Sequence, residues 1–164
     1  MSGPGRAITR IEAAVGRAVE GITWVLTGVL VLLVSVNVFA RYTLGIGWIS
    51  AEEVSRLLFV WVVFLGSYVA LRRKQHVAMD FVAARVPRRA LPAFLTVTRL
   101  FVLAFLGVLA WSGIELVCTT LELGRVTPIL GISAAWGYLG VPVSAILMFL
   151  EVLRETLAGE VPST

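Results

Sequence analysis

The sequence has few of the residues that form catalytic or metal sites. It contains one cysteine, Cys118, and one histidine, His76, in 164 residues. A single cysteine cannot form an intramolecular disulfide, and this pair is too small a set for a zinc or other transition-metal site. The phosphate-binding and dinucleotide-binding glycine patterns are also missing. We therefore expect no metal, no cofactor and no catalytic residue.

Charged residues are scarce as well. They make up 15% of the chain, whereas hydrophobic residues make up 59%. A soluble domain of this size buries only about 70% of its unfolded surface, which leaves too little interior for so much apolar material. The composition excludes an ordinary soluble enzyme, a disordered chain and a nucleic-acid-binding protein. It predicts an all-α integral membrane protein, and the net charge of +4 then reflects membrane topology.

Four apolar runs predict four transmembrane helices. Their expected bounds are about 21–41, 54–72, 94–118 and 133–151 in a single membrane domain. About twenty residues, each rising 1.5 Å, cross a hydrocarbon core of about 30 Å. The second run is short and spans only if Arg56 and Arg72 reach the two interfaces. The first run is longer than a signal-peptide core, so we expect it to remain as a span.

The distribution of Lys and Arg predicts the orientation. With four spans, ten of these residues lie on one side of the membrane and three on the other, and Arg99 lies inside a span. Positively charged loops stay in the cytoplasm, so both termini are predicted to be cytoplasmic.

Two segments, 6–20 and 75–86, are amphipathic at helical spacing. Each is interpreted either as a helix lying in the cytoplasmic interface or as a helical extension of the adjoining span, with a partner-binding face as a further reading. A hydrophobic periodicity alone does not separate these alternatives.

Deep ionisable residues, which usually mark a transport path, are missing from the predicted spans. In the third span, fifteen uncharged residues separate Arg99 from Glu115, or roughly 22 Å of helix. Both charges therefore belong near the interfaces, where they can set the depth of the helix. This pattern favours a protein that works as part of a larger assembly.

Polar residues recur at a spacing of i and i+4, which places each pair on one helix face: Asn37 and Arg41, Glu52 and Arg56, His76 and Asp80. They are interpreted either as local helix anchors or as contacts to another subunit. Ser50 is predicted to cap the second span. Pro142 removes one backbone bond, to the carbonyl of Tyr138, and is predicted to kink the fourth span.

Several motifs occur in a characteristic order. The first span ends in Asn37-Val38-Phe39-Ala40-Arg41-Tyr42. The second carries Trp48, Glu52-Glu53, Arg56, Leu58-Phe59-Val60-Trp61 and Ala70-Leu71-Arg72-Arg73, followed by His76 and Asp80. The fourth is entered through Trp136-Gly137-Tyr138-Leu139 and Pro142. Over about residues 20–150 the chain resembles the small membrane subunit of tripartite ATP-independent periplasmic (TRAP) transporters, the DctQ-like family. Ser133 stands where proline or another helix-starting residue is expected.

This resemblance implies a secondary uptake system of three proteins in the bacterial inner membrane and periplasm. A periplasmic solute-binding protein captures an organic acid, and a large multi-span subunit transports it with an ion gradient. The small subunit supports the large one in the lipid bilayer and helps to dock the binding protein. The residues expected to have subunit-contact or structural roles are Asn37, Arg41, Trp48, Glu52, Glu53, Arg56, Trp61, Arg72, Arg73, His76, Asp80, Trp136 and Pro142. The alternative function is a self-sufficient small homo-oligomeric membrane carrier, and a membrane enzyme has the least support.

Overall fold

The described part of the chain is helical. The computed structural model describes residues 4–73 and 91–157. Its helices are α1 (Pro4–Leu44), α2 (Ile49–Arg72), α3 (Leu91–Glu122), α4 (Ala135–Tyr138) and α5 (Gly140–Leu157). A helix satisfies its backbone hydrogen bonds within one segment, as the hydrocarbon core requires. His76, Asp80 and the amphipathic segment 75–86 lie outside the described residues.

Within these two ranges, four helical stretches are long and apolar enough to cross a membrane: Ala14–Leu44, Ile49–Arg72, Ala93–Glu122 and Ala135–Arg154. The predicted class, an all-α membrane protein with four spans, is confirmed. Segment 6–20 is not a separate helix, because α1 runs through it without a break into the first span. The second span is longer than its apolar run, since α2 begins at Ile49.

The four long helices form a row rather than a closed bundle. α1 packs on α2, α2 packs on α5, and α5 packs on α3. Among the described residues, no extensive contact joins α1 to α3 or α5, or α2 to α3. The short helix α4 lies against α2 and α3. The resulting layer is one helix thick, with α1 and α3 at its edges.

A small core holds the middle of the layer together. Tyr68 of α2, Leu106 of α3 and Met148 and Val152 of α5 are buried against one another. By contrast, only 6% of the most apolar part of α1 is buried, against 39% for the last span. The edge helix α1 is therefore fixed mainly by its contact with α2.

Glycine sets the ends of two long helices. Gly124 follows α3 with φ of 57°. The Arg125 N–H donates to the Thr120 carbonyl and the Gly124 N–H donates to the Leu121 carbonyl, which is the Schellman arrangement that closes a helix. Gly45, with φ of 68°, follows α1 in the same left-handed conformation.

The last span is interrupted near Pro142. The helix is interrupted at Leu139, between α4 and α5, and Pro142 lies in the first turn of α5. Proline has no N–H to donate to the Tyr138 carbonyl, which accounts for the break. The proline ring also packs against α3, because a Cβ added at Gly113 would lie 3.1 Å from Pro142 Cδ.

Many hydroxyl groups in the spans bond to their own helix. Thr23 donates to the Val19 carbonyl at 2.8 Å, and Thr98 donates to the Phe94 carbonyl at 2.9 Å. Ser144 differs: it is fully buried, and its hydroxyl has no partner among the described residues. These back-bonded hydroxyls are satisfied within their helices and do not line a polar path.

Candidate interaction site at the outer end

The polar residues of the motifs gather at one end of the layer. Here α1 ends, α2 begins and loop 123–134 joins α3 to α4. We call it the outer end, because the Lys and Arg distribution predicts that it faces away from the cytoplasm. The outer cluster consists of Asn37, Arg41, Trp48, Glu52 and Glu53.

Asn37 joins α1 to the start of α2. Its side chain is buried, and Oδ1 accepts a hydrogen bond of 2.9 Å from the Trp48 N–H. The Trp48 carbonyl in turn accepts from the Ala51 N–H at 3.1 Å. The partner of Asn37 is thus internal, and this contact holds the four-residue connection between the two helices.

The predicted serine cap is wrong. Trp48, not Ser50, occupies the N-cap position of α2, and no side chain caps the helix there. The helix starts earlier because the Asn37 amide fixes Trp48 and the Trp48 carbonyl begins the helical bonding. Ser50 therefore lies within the first turn.

Glu52 and Arg56 lie one turn apart on α2 but form no ion pair with each other. Glu52 instead forms an ion pair with Arg41 of α1, and both side chains are about half exposed. The short connection between the helices brings these two residues together. Arg56 is exposed and makes no ion pair or side-chain hydrogen bond within the described ranges.

Between these helices, a cleft of about 290 Å³ is lined by Asn37, Arg41 and Glu52 together with Val34, Val38 and Ser55.

Glu53 fixes loop 123–134. Its side chain is buried, with 8% exposed, and its two carboxylate oxygens accept from the backbone N–H groups of Leu130 at 2.8 Å and Ile129 at 3.4 Å. These residues are more than 70 positions apart in sequence. This buried acidic side chain therefore has a structural role.

The loop itself is compact. The Thr127 N–H donates to the Ile132 carbonyl at 2.8 Å, and the Ala134 N–H donates to the Arg125 carbonyl at 3.0 Å. At its end, Ser133 Oγ accepts from the Ala135 N–H at 3.4 Å, while Ala134 is the N-cap residue of α4. The structure thus contains a hairpin-like loop held down by one carboxylate.

A hydrogen bond joins two tryptophans of the motifs. Trp61 Nε1–H donates to the Trp136 carbonyl at 2.9 Å, which links α2 to α4. A Cβ at Gly140 would lie 3.2 Å from Trp61 Cδ2, so this glycine allows the indole to approach α5. Trp136 keeps its own ring exposed.

The other end of the layer, the inner end, holds Arg72 and Arg73. Arg73 forms an ion pair with Glu20 of α1. The Arg72 guanidinium lies where a Cβ at Gly16 would be. Glu20 and Gly16 are not among the residues predicted from the sequence, because their partners are about fifty residues away. Their i, i+4 spacing, which places both on one face of α1, was the available signal.

The outer cluster links three parts of the fold. Residues 4–73 and 91–157 contain no group of three His, Cys, Asp or Glu side chains able to hold a metal ion. The outer cluster joins α1, α2 and the loop by hydrogen bonds and one ion pair, and it leaves Arg56 and several aromatic rings exposed. These contacts hold the outer end of α1, α2 and the loop in one fixed arrangement.

Comparison with known proteins identifies the family of the chain. The sequence pattern of the family described as "Tripartite ATP-independent periplasmic transporters, DctQ component" matches residues 30–160. A putative TRAP transporter small permease protein of Haemophilus influenzae is 30% identical over 82% of this chain and 85% of its own length. The sialic acid TRAP transporter small permease protein SiaQ of Vibrio cholerae is 26% identical over 83% of this chain and 78% of its own length.

A third relative is much longer. The sialic acid TRAP transporter permease protein SiaT of Haemophilus influenzae is 31% identical over 63% of this chain but over only 17% of its own length. In that protein, a segment similar to this chain is one part of a larger permease polypeptide. The family match over most of the chain, together with the four spans, shows that this chain belongs to the DctQ family, and it is therefore a transporter component of the bacterial inner membrane and not an enzyme.

Proposed function

We propose that this chain supports the large permease subunit of a TRAP-type secondary uptake transporter and carries no solute itself. The observation that carries this proposal is the row of helices. A layer one helix thick encloses no path across the membrane. Its buried acid, Glu53, lies at the outer end, with both oxygens accepting backbone N–H groups. A carrier instead needs polar groups near the middle of the bilayer.

The large partner is supported by the longer relatives. Segments similar to this chain occur within the permease proteins SiaT and DctMQ, over 17% of each. Two subunits that also occur as one polypeptide are expected to lie side by side. We propose a separate large multi-span subunit as the neighbour of this chain, against one face of the layer.

The solute is proposed to be an organic acid, taken up with an ion gradient. Relatives are named for sialic acid and for isethionate. The ion and solute sites are assigned to the large subunit, because the described spans of this chain offer none.

Uptake measurements test the proposal. Cells with both permease subunits and a periplasmic solute-binding protein should accumulate solute, and deletion of this chain should abolish accumulation. Proteoliposomes that contain this chain alone should be silent. Transport by the chain alone would instead establish the self-sufficient homo-oligomeric carrier, and undiminished uptake after deletion would contradict the supporting role.

Arg56 is proposed as a contact to a partner subunit. It lies seven residues into α2, about 10 Å along the helix, and it faces outwards. A charge exposed at this depth is unfavourable beside lipid unless it reaches the interface or meets an opposite charge. A carboxylate of the large subunit or of the binding protein would supply that charge.

Charge reversal at the outer end separates these roles. Arg56→Glu should reduce uptake and co-purification with the large subunit. The control is Arg125→Glu, the same change on the exposed loop at the same end. Glu52→Arg should have a smaller effect, and adding Arg41→Glu should reverse it, because their ion pair is internal. Equal uptake in all these variants would show that no partner contacts Arg56.

A further inference from the structure

A second polar cavity lies between α1 and α2 at the inner end. It has a volume of about 320 Å³ and is lined by Gly16, Arg17, Glu20, Val69, Arg72 and Arg73. We propose that this inner cleft binds the phosphate group of an anionic phospholipid. This site is separate from the outer cluster and does not depend on the transport role.

The charge of the inner cleft suits a phosphate. Among the described residues, three guanidinium groups and one carboxylate line it, and their formal charges sum to +2. Glu20 is already paired with Arg73. A guanidinium presents two parallel N–H groups that match two phosphate oxygens, which makes arginine the preferred residue for bidentate phosphate binding.

Gly16 shapes the cleft. The Arg72 guanidinium lies so close to α1 that a Cβ at position 16 would overlap it. The lack of a side chain therefore lets Arg72 of α2 reach the surface of α1 and complete the basic lining next to Arg17. Basic pockets between transmembrane helices on the cytoplasmic side are known sites for lipid headgroups.

The depth of the cleft favours a lipid over a soluble anion. Glu20 directly precedes the twenty uncharged residues 21–40, and Arg72 ends α2. The cleft thus lies where the hydrocarbon core meets the headgroups. On the face of α1 that carries Arg17, Trp24 lies two turns deeper, at i+7, and its side chain is 66% exposed. Tryptophan is typical of this boundary.

The same face of α1 continues towards the middle of the membrane as an apolar surface. Val31 follows Trp24 at i+7 and is also exposed. A phosphate in the cleft would place its acyl chains along this strip of α1, which is the edge helix of the layer. A free phosphate ion would make the same ionic contacts but has no acyl chains to pack on this apolar face.

Lipid titration of the purified full chain tests the proposal. Native mass spectrometry in a neutral detergent would compare phosphatidylglycerol with phosphatidylcholine of the same acyl chains. We expect one tight phosphatidylglycerol site. Arg17→Gln and Arg72→Gln should each weaken it about tenfold, as expected for the loss of hydrogen bonds to a charged group. Arg72→Lys keeps the charge but not the two parallel N–H groups, and should give an intermediate affinity.

Two matched controls make the test specific. Gly16→Ala should weaken the site by displacing the Arg72 guanidinium, whereas Gly21→Ala, with open space around the added Cβ, should not. Arg154→Gln removes a charge at the same end from α5 and should also have no effect. Helical circular dichroism of each variant would show that the chain remains folded.

The outcomes distinguish the sources of phosphate. Millimolar inorganic phosphate should fail to displace the phospholipid; displacement would reassign the cleft to a soluble anion and overturn the lipid proposal. Equal retention of phosphatidylcholine and phosphatidylglycerol would overturn it too, as would wild-type affinity in Gly16→Ala and both glutamine variants.

Discussion

Replacing Glu53 by alanine should loosen loop 123–134 while leaving the four spans in place. The carboxylate is buried and accepts two backbone N–H groups of the loop, one at 2.8 Å from Leu130 and one at 3.4 Å from Ile129. The alanine variant would remove both acceptors and leave two amides of a compact loop without partners.

The magnitude follows from these two bonds. A hydrogen bond to a charged group contributes about 1.5–3 kcal/mol; the bond at 2.8 Å lies within this range, whereas the bond at 3.4 Å is long and adds little. We therefore expect the free energy of loop opening to fall by about 2 kcal/mol in Glu53→Ala. Glu53→Gln keeps one acceptor oxygen and should lose about half as much.

Hydrogen–deuterium exchange measures this directly. A fall of 2 kcal/mol in the opening free energy corresponds to about 30-fold less protection of the Leu130 and Ile129 amides. Amides in the middle of α3 should exchange as in the wild type, because they lie outside the loop.

The neighbouring residue is the control. Glu52→Ala removes a half-exposed ion pair with Arg41, worth about 0–1 kcal/mol, and does not touch the loop. Its loop amides should keep their protection. If Glu53→Ala also leaves the protection of both amides within a factor of about two, the carboxylate does not hold the loop, and the reasoning from its hydrogen bonds is refuted.

Three further substitutions test the packing by thermal unfolding in detergent. Asn37→Ala removes the acceptor for the Trp48 N–H and should cost about 1 kcal/mol, whereas Asn37→Asp keeps an acceptor and should cost less; equal losses would contradict that bond. Gly113→Ala places a Cβ 3.1–3.3 Å from a proline ring on α5 and should destabilise by about 1 kcal/mol, while Gly107→Ala, with open space, should be neutral or stabilising; the reverse order would contradict close packing there. Ser144→Ala removes a buried hydroxyl without a partner and should be neutral or stabilising, so a large loss would reveal a hydrogen bond not present in this structure.

The spans could be predicted from the sequence because length and apolarity are local properties. Twenty apolar residues cross the hydrocarbon core whichever helices surround them. The order of the row could not be predicted in the same way. α2 and α3 are apolar around most of their circumference, so their sequences do not indicate which face packs on which neighbour.

The contacts of the outer cluster could likewise be predicted only in part. Asn37, Glu52 and Glu53 were all predicted to have structural or contact roles, but a spacing of i and i+4 suggests partners only within one helix. The observed partners of Asn37 and Glu52 lie across the α1–α2 connection, and those of Glu53 lie in the loop beyond the next span. Such pairs depend on which helices are neighbours, and this is settled only by tertiary packing.

The position of α5 in the row has a consequence for biogenesis. α2 and α3 follow each other in the chain, yet neither packs extensively on the other. Loop 123–134 and α4 link them at the outer end, and α5 lies between them along their length. During synthesis the hairpin of α1 and α2 is complete early, while α3 must wait in the lipid for a helix that leaves the ribosome later. A nascent chain arrested before α5 should therefore leave the length of α3 without a packed neighbour from this chain, held to α2 only through the loop and α4 at the outer end.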